Sequence, residues 1–272
     1  MAEEQGKADY VLGHSERELK RLEAQAGFYA EATRDGLIKA GIGSGMKVLD
    51  LGCGVGDVSL IAADLVGTTG SVTGIDISPG AIALSTARAA QRDIRAEFVV
   101  SPIDAFDRFG EYDAVVGRFI LVHFPDPVAV VRGIASKLKN GVPLVSMEMD
   151  MSTGAASAPF PLYDQHLGNI RRMYGTMGFS PDMGVKLHAT FRAAGLTPTL
   201  TAFTRVGHKD EAAGFDFLTE SVRSLMPVLE KTGIATPADI DIDTLSARLA
   251  AEAQASDPAI FYPRFVVAWA HV

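Results

Sequence analysis

The chain has 272 residues, of which 47% are hydrophobic, and its 25 Lys and Arg against 33 Asp and Glu give a net charge of −8. The hydrophobic content supports a substantial core and excludes global disorder. The acidic balance, without a basic tract, argues against a nucleic-acid backbone as partner. The single cysteine excludes an intramolecular disulfide and a cysteine zinc cluster.

The N-terminal segment is polar and precedes a predicted helix. Residues 1–10 lack the apolar core of a signal peptide, and no apolar run in the chain is long enough to span a bilayer. We therefore expect a cytoplasmic protein. Residues 15–39 predict a helix, because Ser15 with Glu18 fits a capping box. Tyr10 either folds back over a ligand or packs on the surface of a frayed tail.

From residue 47 onward, strand-like and helix-like segments alternate. The predicted strands are residues 47–51, 71–77, 96–100, 112–116 and 142–147. The predicted helices between them are residues 57–66, 79–92 and 127–140. Regular alternation predicts a parallel sheet with helices on both faces. Right-handed crossovers place the carboxyl ends of the strands on one edge, where ligands bind.

After residue 147 the alternation of strands and helices ends, and mainly helical segments follow. Helices are predicted at residues 161–177, 185–195, 215–231 and 245–255, and strands at 197–204 and 259–271. The expected fold class is α/β, with a seven-stranded mostly parallel sheet and a helical lid. The expected organisation is a helical segment over the ligand (1–40), a ligand-binding core (41–150), and lid insertions plus the last two strands (151–272).

The stretch at residues 48–57, VLDLGCGVGD, is an apolar strand followed by a glycine-rich turn and a helix start. Such a turn lets a ligand lie against bare backbone at a helix N-terminus. A dinucleotide site has the spacing G-x-G-x-x-G, and Asp57 stands where its third glycine would be. The carboxylates of Asp50 and Asp57 would repel a diphosphate and suit an ammonium group. No Gly-Lys-Ser/Thr follows, which excludes a P-loop.

A second ligand motif follows at the end of the strand at residues 71–77. Asp76 lies about twenty residues past the glycines, where an acid can accept both hydroxyls of a ribose. Ile77 beside it is apolar and can cover one face of a purine. The two motifs together predict a ligand with an amino-acid end, a ribose and a base.

These motifs resemble those of class I S-adenosylmethionine-dependent methyltransferases, of the bacterial small-molecule type. The resemblance covers about residues 48–149, with the glycine turn and residues 74–77 as its most specific parts. Residues 117–127, GRFILVHFPDP, also resemble many small-molecule members. Residues 10–18 are similar to a segment that closes over the cofactor in some bacterial members. The resemblance implies a Rossmann-like fold and S-adenosylmethionine as the cofactor of the core.

The resemblance also implies a set of cofactor-binding residues. They are Tyr10, Asp50, Gly52, Cys53, Gly54, Asp57, Asp76, Ile77, Ile103, Asp104 and Arg118. Gly52, Cys53 and Gly54 would lie along the methionine part. Asp50 or Asp57 would hold the amino group, directly or through backbone and water. Cys53, flanked by glycines, is interpreted as a small filler and not as a nucleophile.

The remaining roles concern the ribose, the adenine and the carboxylate of the cofactor. Asp76 would bind the ribose, and Arg118 could reach the carboxylate. Many members carry Gly-Asp-Ala after the third strand, where the acid and the next backbone N–H hold the adenine. This chain has Ser-Pro-Ile-Asp there, and we assign the role to Ile103 and Asp104.

Methyl transfer is an in-line displacement at a sulfonium carbon, so it needs alignment and exclusion of water. A hydroxyl acceptor also needs a base within hydrogen-bond reach. His123 and Glu148 are the predicted catalytic residues, with Asp150 as a further candidate base. His14 and His166 could also point in from the two covering segments. The alternatives are that His123 touches the adenine or caps a helix, and that Glu148 is ion-paired in a turn. No metal-ligand spacing is present, so no metal is predicted.

The expected function is transfer of a methyl group from S-adenosylmethionine to an oxygen or nitrogen atom of a small, apolar or aromatic molecule. Aromatic residues favour such an acceptor pocket, namely Phe119, Phe124, Phe160, Tyr163 and Tyr174. The expected partner is this small molecule, without nucleic acid or membrane, and a homodimer is left open. The alternatives are a nicotinamide-dependent oxidoreductase, a non-catalytic S-adenosylmethionine-binding protein, and methylation of a protein or peptide.

Overall fold

The computed structural model describes the backbone of residues 16–272 and the side chains from residue 27 onward. The chain forms two compact units. The sheet unit consists of Ala26–Gly154, Gly178–Arg205 and Tyr262–Val272. The helical unit consists of Ala155–Met177 and Val206–Phe261, with the described residues before Ala26. Tyr10, expected over the ligand, and His14 lie outside the described residues.

Strands and helices alternate through the first half of the chain. The strands are β1 (Lys47–Leu51), β2 (Ser71–Asp76), β3 (Ala96–Val100), β4 (Ala114–Arg118), β5 (Pro143–Asp150), β6 (Ala155–Ala156), β7 (Thr199–Phe203), β8 (Val206–Gly207), β9 (Ile260–Phe261) and β10 (Arg264–His271). The helices are α1 (Glu16–Lys39), α2 (Asp57–Val66), α3 (Pro79–Gln91), α4 (Pro127–Ala135), α5 (Pro161–Thr176), α6 (Met183–Ala193), α7 (Ala212–Lys231), α8 (Pro237–Ile240) and α9 (Leu245–Ser256).

The sheet unit is built on a seven-stranded sheet in the order β3-β2-β1-β4-β5-β10-β7. Strands β1 to β5 are parallel, and β10 lies antiparallel between β5 and β7. The predicted seven-stranded, mostly parallel sheet is thus confirmed. The strand order reverses between β1 and β4, which is the position where open α/β sheets bind ligands at the carboxyl ends of the strands. The glycine turn follows β1 at this position.

The central strands form the core of the sheet unit. Strands β1, β4 and β5 carry fully buried side chains, among them Leu49, Val115 and Val145. Their near-continuous apolar runs are typical of parallel strands that are covered on both faces. The polar residues at the ends of these strands therefore stand out as the candidates for function.

Several predicted boundaries are wrong, and three of them have a clear physical cause. Strand β4 begins at Ala114 and not at residue 112, because the Asp113 carboxylate accepts the Lys47 N–H at 2.9 Å and forms the entry turn. Helix α4 ends at Ala135 and not at residue 140, because the following N–H groups bond to carbonyls three residues back and form turns. The strand predicted at 259–271 is split, because Pro263 has no backbone N–H to donate.

The helical unit contains α5, α7, α8 and α9 and a three-stranded sheet in the order β6-β9-β8. The small sheet was not predicted, because its strands have two residues each and such a length carries no periodic signal. In the described part of the chain, no helix combines the length and the apolar character needed to cross a membrane.

Candidate functional site

The glycine turn after β1 presents bare backbone. Gly52, Gly54 and Gly56 have φ of 57°, 53° and 86°, a conformation that favours glycine. A Cβ atom at Gly54 would have no neighbour within 4 Å among the described residues, so this glycine faces open space. A Cβ atom at Gly52 would clash with Cδ1 of Ile120, so the loop after β4 packs directly on this part of the turn.

Asp76 joins the glycine turn to the loop after β2. Its Oδ2 accepts the Gly54 N–H at 2.9 Å, and its Oδ1 accepts the Ser78 N–H at 2.9 Å. The residue is 9% exposed. Each carboxylate oxygen has a second lone pair, so the side chain can hold the turn and still accept bonds from two ligand hydroxyls.

Two aliphatic side chains are exposed beside Asp76. Ile77 is 52% exposed and Val100, which is the β3 partner of Asp76 in the sheet register, is 50% exposed. Exposed aliphatic surface next to a carboxylate suits a ligand with a flat apolar face and hydroxyl groups. Ile103, half-buried, and Asp104, exposed, lie in the turn that follows β3.

Asp50 is fully buried at the end of β1. Its Oδ2 accepts a hydrogen bond from the Ser59 hydroxyl at 2.6 Å. Burial raises the pKa of Asp50 to about 7, although Ser59 and Arg118 oppose this shift. A ligand ammonium group placed beside the carboxylate would favour its charged form and lower this pKa.

Asp57 is held by two arginines. Its Oδ1 lies 2.7 Å from Nη1 of Arg88, and its Oδ2 lies 3.4 Å from Nη2 of Arg118. Arg118 also donates to the Thr33 hydroxyl at 3.1 Å, and burial lowers the pKa of its guanidinium while Asp57 opposes this shift. The charge of Asp57 is therefore compensated within the protein, which leaves Asp50 as the better candidate for the ammonium group.

Cys53 lies behind the turn. A Cβ atom at Gly74 on β2 would come within 2.8 Å of the Cys53 Sγ, so the glycine makes room for the thiol. Burial raises the pKa of the thiol. These contacts support the interpretation of Cys53 as a filler, since the thiolate is the nucleophilic form.

Glu148 on β5 supports the loop after β4. Its Oε1 accepts the N–H groups of Ile120 and Leu121 at 2.9 and 2.6 Å. Burial raises the pKa of Glu148 to about 8, and the backbone hydrogen bonds oppose the shift. The side chain is 1% exposed, so its contacts identify it as a residue that positions the loop. Its predicted role as a base stays a prediction.

The loop after β4 is strained at its start and carries His123 at its end. Phe119 has φ of 59°, which is rare for an aromatic residue, and its ring packs edge-on against Tyr29 and Phe265. His123 is exposed, and its ring lies edge-on to that of Phe179 at 5.8 Å. Desolvation by the surrounding protein lowers the pKa of His123, so its imidazole is neutral near pH 7 and able to accept a proton.

Sequence reasoning missed the partners of three charged residues of the site. Ser59, Thr33 and Arg88 hold Asp50, Arg118 and Asp57, respectively. The only local signal was a serine on the first turns of the helix that follows the glycines. The two other pairings join α1 to β4 and α3 to α2, and no spacing rule predicts them.

Comparison with known proteins decides which family uses this arrangement. Residues 42–195, more than half of the chain, match the family model described as a methyltransferase domain. The chain belongs to this methyltransferase family. Its cofactor is S-adenosylmethionine. The glycine turn fits this cofactor, because Gly54 faces open space beside the carboxylate of Asp76 and the exposed side chain of Ile77.

The methyltransferase is similar to curated relatives over part of its length. It is 32% identical over 100 residues to the ubiquinone biosynthesis O-methyltransferase of Xanthomonas axonopodis pv. citri. The aligned stretch covers 36% of this chain and 41% of the relative. The chain thus spans about two fifths of the length of the curated relatives it matches.

Solved structures share the fold over most of the methyltransferase chain. The cyclopropane-fatty-acyl-phospholipid synthase-like protein from Lactobacillus casei has a TM-score of 0.56 and 19% identity, over 96% of this chain and 98% of that chain. The Haemonchus contortus phosphoethanolamine N-methyltransferase 2, solved with S-adenosylhomocysteine, has a TM-score of 0.52 and 16% identity. This match covers 89% of this chain and 52% of that chain.

Proposed function

We propose that this chain transfers the methyl group of S-adenosylmethionine to an oxygen or nitrogen atom of a small, apolar or aromatic molecule. The observation that carries the proposal is the bridge that Asp76 makes from Gly54 to Ser78 beside the exposed Ile77. The glycine turn supplies bare backbone, Asp76 supplies acceptors for a ribose, and Ile77 supplies an apolar face for a base.

Each end of the cofactor is assigned to residues of the sheet unit. Asp50 pairs with its ammonium group, and Asp76 accepts from the ribose hydroxyls. Ile77 covers one face of the adenine, and Ile103 and Asp104 hold its edge. When bound, the cofactor supplies an activated methyl group on a sulfonium centre. The protein then has to align the acceptor and exclude water.

Proton removal from a hydroxyl acceptor is assigned to His123. Its neutral imidazole can accept the proton at physiological pH. Glu148 acts through the loop, because its carboxylate fixes the N–H groups of Ile120 and Leu121 just before His123. An amine acceptor in its neutral form would not need this base.

The names of the matching relatives support an oxygen atom as the methylated position. The Xanthomonas relative is named an O-methyltransferase of ubiquinone biosynthesis. A cytoplasmic location and a small-molecule partner belong to the same proposal. A homodimer is consistent with it but is not required by the chemistry.

The test begins with titration calorimetry of S-adenosylmethionine and S-adenosylhomocysteine into the wild-type chain and the Asp76→Ala variant. We expect affinity to fall at least about 100-fold, because two backbone bonds and the ribose contacts are lost together. Asp113→Ala is the matched control, since Asp113 also caps a backbone N–H but lies at the opposite end of the strands.

The second step measures transfer from methyl-labelled S-adenosylmethionine to a panel of small phenols, alcohols and amines. Labelled product from one acceptor class supports the proposal and names the atom. Unchanged cofactor affinity in Asp76→Ala would refute the assigned site. Tight binding of S-adenosylmethionine without transfer to any small molecule or protein would favour the non-catalytic alternative, and binding of a nicotinamide cofactor alone would favour an oxidoreductase.

A further inference from the structure

Two residues of the helical unit carry buried polar atoms without a hydrogen-bond partner. They are Nδ1 and Nε2 of His166 on α5 and Oγ1 of Thr219 on α7, and no other buried side-chain atom of the described residues is left unpaired. His166 is 1% exposed and Thr219 is 4% exposed. Buried polar groups are normally paired, so three unpaired atoms on two neighbouring helices call for a ligand.

Helices α5 and α9 run in opposite directions. The Leu162 N–H donates to the Glu252 carboxylate at 3.1 Å, near the start of α5 and the end of α9. One turn further along α5, His166 lies within electrostatic range of Arg248, which is one turn earlier on α9. His166 therefore faces the interior between these helices.

Helices α7 and α9 also run in opposite directions. The Ser246 hydroxyl donates to Asp216 at 2.6 Å, and the Gln254 amide donates to Asp210 at 3.0 Å, just before α7 begins. Since both α5 and α7 are antiparallel to α9, they are approximately parallel to each other. Positions on the two helices can then be compared by counting residues from a shared contact.

The shared contact is between Phe160 and Phe215, whose ring centroids lie 6.2 Å apart. His166 follows Phe160 by six residues and Thr219 follows Phe215 by four, so they lie about 9 and about 6 Å beyond the ring pair at the helical rise per residue. Both residues lie on the buried faces of these two neighbouring helices.

The chemistry of the unpaired atoms selects the ligand. Burial, assisted by Arg248, lowers the pKa of His166 to about 4, so the imidazole is neutral and offers one donor and one acceptor. The Thr219 hydroxyl likewise donates and accepts. A neutral hydroxyl group complements both residues, whereas an ammonium group would be repelled by Arg248. The adjacent rings of Phe160 and Tyr163, stacked at 5.7 Å, favour an aromatic body.

We propose that α5 and α7 carry a buried site that binds the hydroxyl group of a small aromatic molecule through His166 and Thr219. The site belongs to the helical unit, and it selects molecules that bear a hydroxyl group in addition to their apolar body.

The test titrates phenol into the full-length chain labelled with ¹⁵N-histidine and follows the His166 ring nitrogens by NMR, with the resonances assigned from His166→Phe. Anisole is the matched probe, because it keeps the ring and the oxygen but cannot donate. We expect saturable shifts of the His166 nitrogens with phenol and at least about tenfold weaker binding of anisole. Thr219→Val should weaken phenol binding about threefold or more.

Thr232→Val is the control variant, since Thr232 ends the same helix but its hydroxyl already donates to the Val228 carbonyl at 2.7 Å. It should bind phenol like the wild type. Equal affinities for phenol and anisole, no shift at His166, or no effect of Thr219→Val would each overturn the proposal. No cofactor is present in this titration. Phenol binding at His166 with no methyl transfer to any acceptor of the panel would therefore contradict the proposed function alone, and transfer without a His166 response would overturn this site alone.

Discussion

The backbone N–H of Leu121 donates to the buried carboxylate of Glu148 at 2.6 Å. The same oxygen also accepts the N–H of Ile120, so one side chain of β5 fixes the first residues of the loop after β4. That loop packs on Gly52 and ends at His123. A single buried acid therefore connects the central sheet to both the cofactor turn and the predicted base.

The first prediction separates positioning from base catalysis at Glu148. Glu148→Gln keeps an oxygen that can accept both N–H groups, so we expect kcat within about threefold of wild type. Glu148→Ala leaves two buried donors unpaired, which costs roughly 1–3 kcal/mol each and should lower both kcat and Tm. Steady-state kinetics and thermal unfolding measure the two effects. If Gln and Ala variants lose kcat equally while the Gln variant keeps its Tm, Glu148 is a base and not a support.

The second prediction concerns the pH dependence of cofactor binding. The pKa of Asp50 is raised to about 7, so the carboxyl is largely neutral below this pH and charged above it. An ammonium group binds the charged form, so affinity for S-adenosylmethionine should rise as the pH increases from 6 to 8 and then level off. Asp50→Asn still accepts from Ser59 and should bind more weakly, with a flatter pH profile by calorimetry. A variant profile identical to wild type would place the ammonium group elsewhere.

The third prediction compares two glycines with nearly the same backbone angles. Gly52→Ala and Gly54→Ala both place an alanine in the left-handed region, at roughly 1–2 kcal/mol each. Only Gly52→Ala also clashes with Ile120, so its Tm should fall further. Gly54→Ala should instead mainly weaken cofactor binding, because its methyl group enters the open space before the turn.

The double variant Gly52→Ala with Ile120→Ala is the control for the clash. It should recover part of the stability that Gly52→Ala loses, as measured by urea unfolding. An equal loss in the two single variants, without recovery in the double variant, would mean that backbone strain alone makes glycine necessary at residue 52.

The fourth prediction concerns His123. His123→Ala should lower kcat with a hydroxyl acceptor by about 10²-fold or more, while the Kd for S-adenosylmethionine stays within about threefold. Phe179→Leu removes the ring that packs on His123 but not the imidazole, and it serves as the control. Unchanged turnover of His123→Ala at saturating acceptor would exclude His123 as the base.

Much of the candidate site could be proposed from sequence because its parts are local. The glycine turn, Asp76 and Ile77 lie at the ends of adjacent strands, and the β–α alternation fixes the edge that they share. The seven-stranded sheet was predictable for the same reason, since each strand and helix carries its own periodic pattern. The parallel direction of β1 to β5 follows from the strand–helix alternation and the general crossover rules.

The remaining features depend on contacts between distant residues. Asp57 appeared free to bind an ammonium group, but Arg88, 31 residues later, already pairs with it. Glu148 was predicted as a base at the ligand edge of the sheet, and its hydrogen bonds to a loop 27 and 28 residues earlier were not foreseen. Such pairings follow from the packing of the folded chain, and the spacing of residues within one segment does not reveal them.

The close fit of Cys53 against Gly74 gives the protein an internal reporter. Cys53 is the only cysteine of the chain, and its thiol is buried behind the glycine turn. An alkylating reagent can therefore react at one position, and only after the turn has opened. The rate of alkylation measures how often the cofactor turn opens, and protection by S-adenosylmethionine should slow it in proportion to occupancy. The turn's opening can be timed in the native chain without any introduced label.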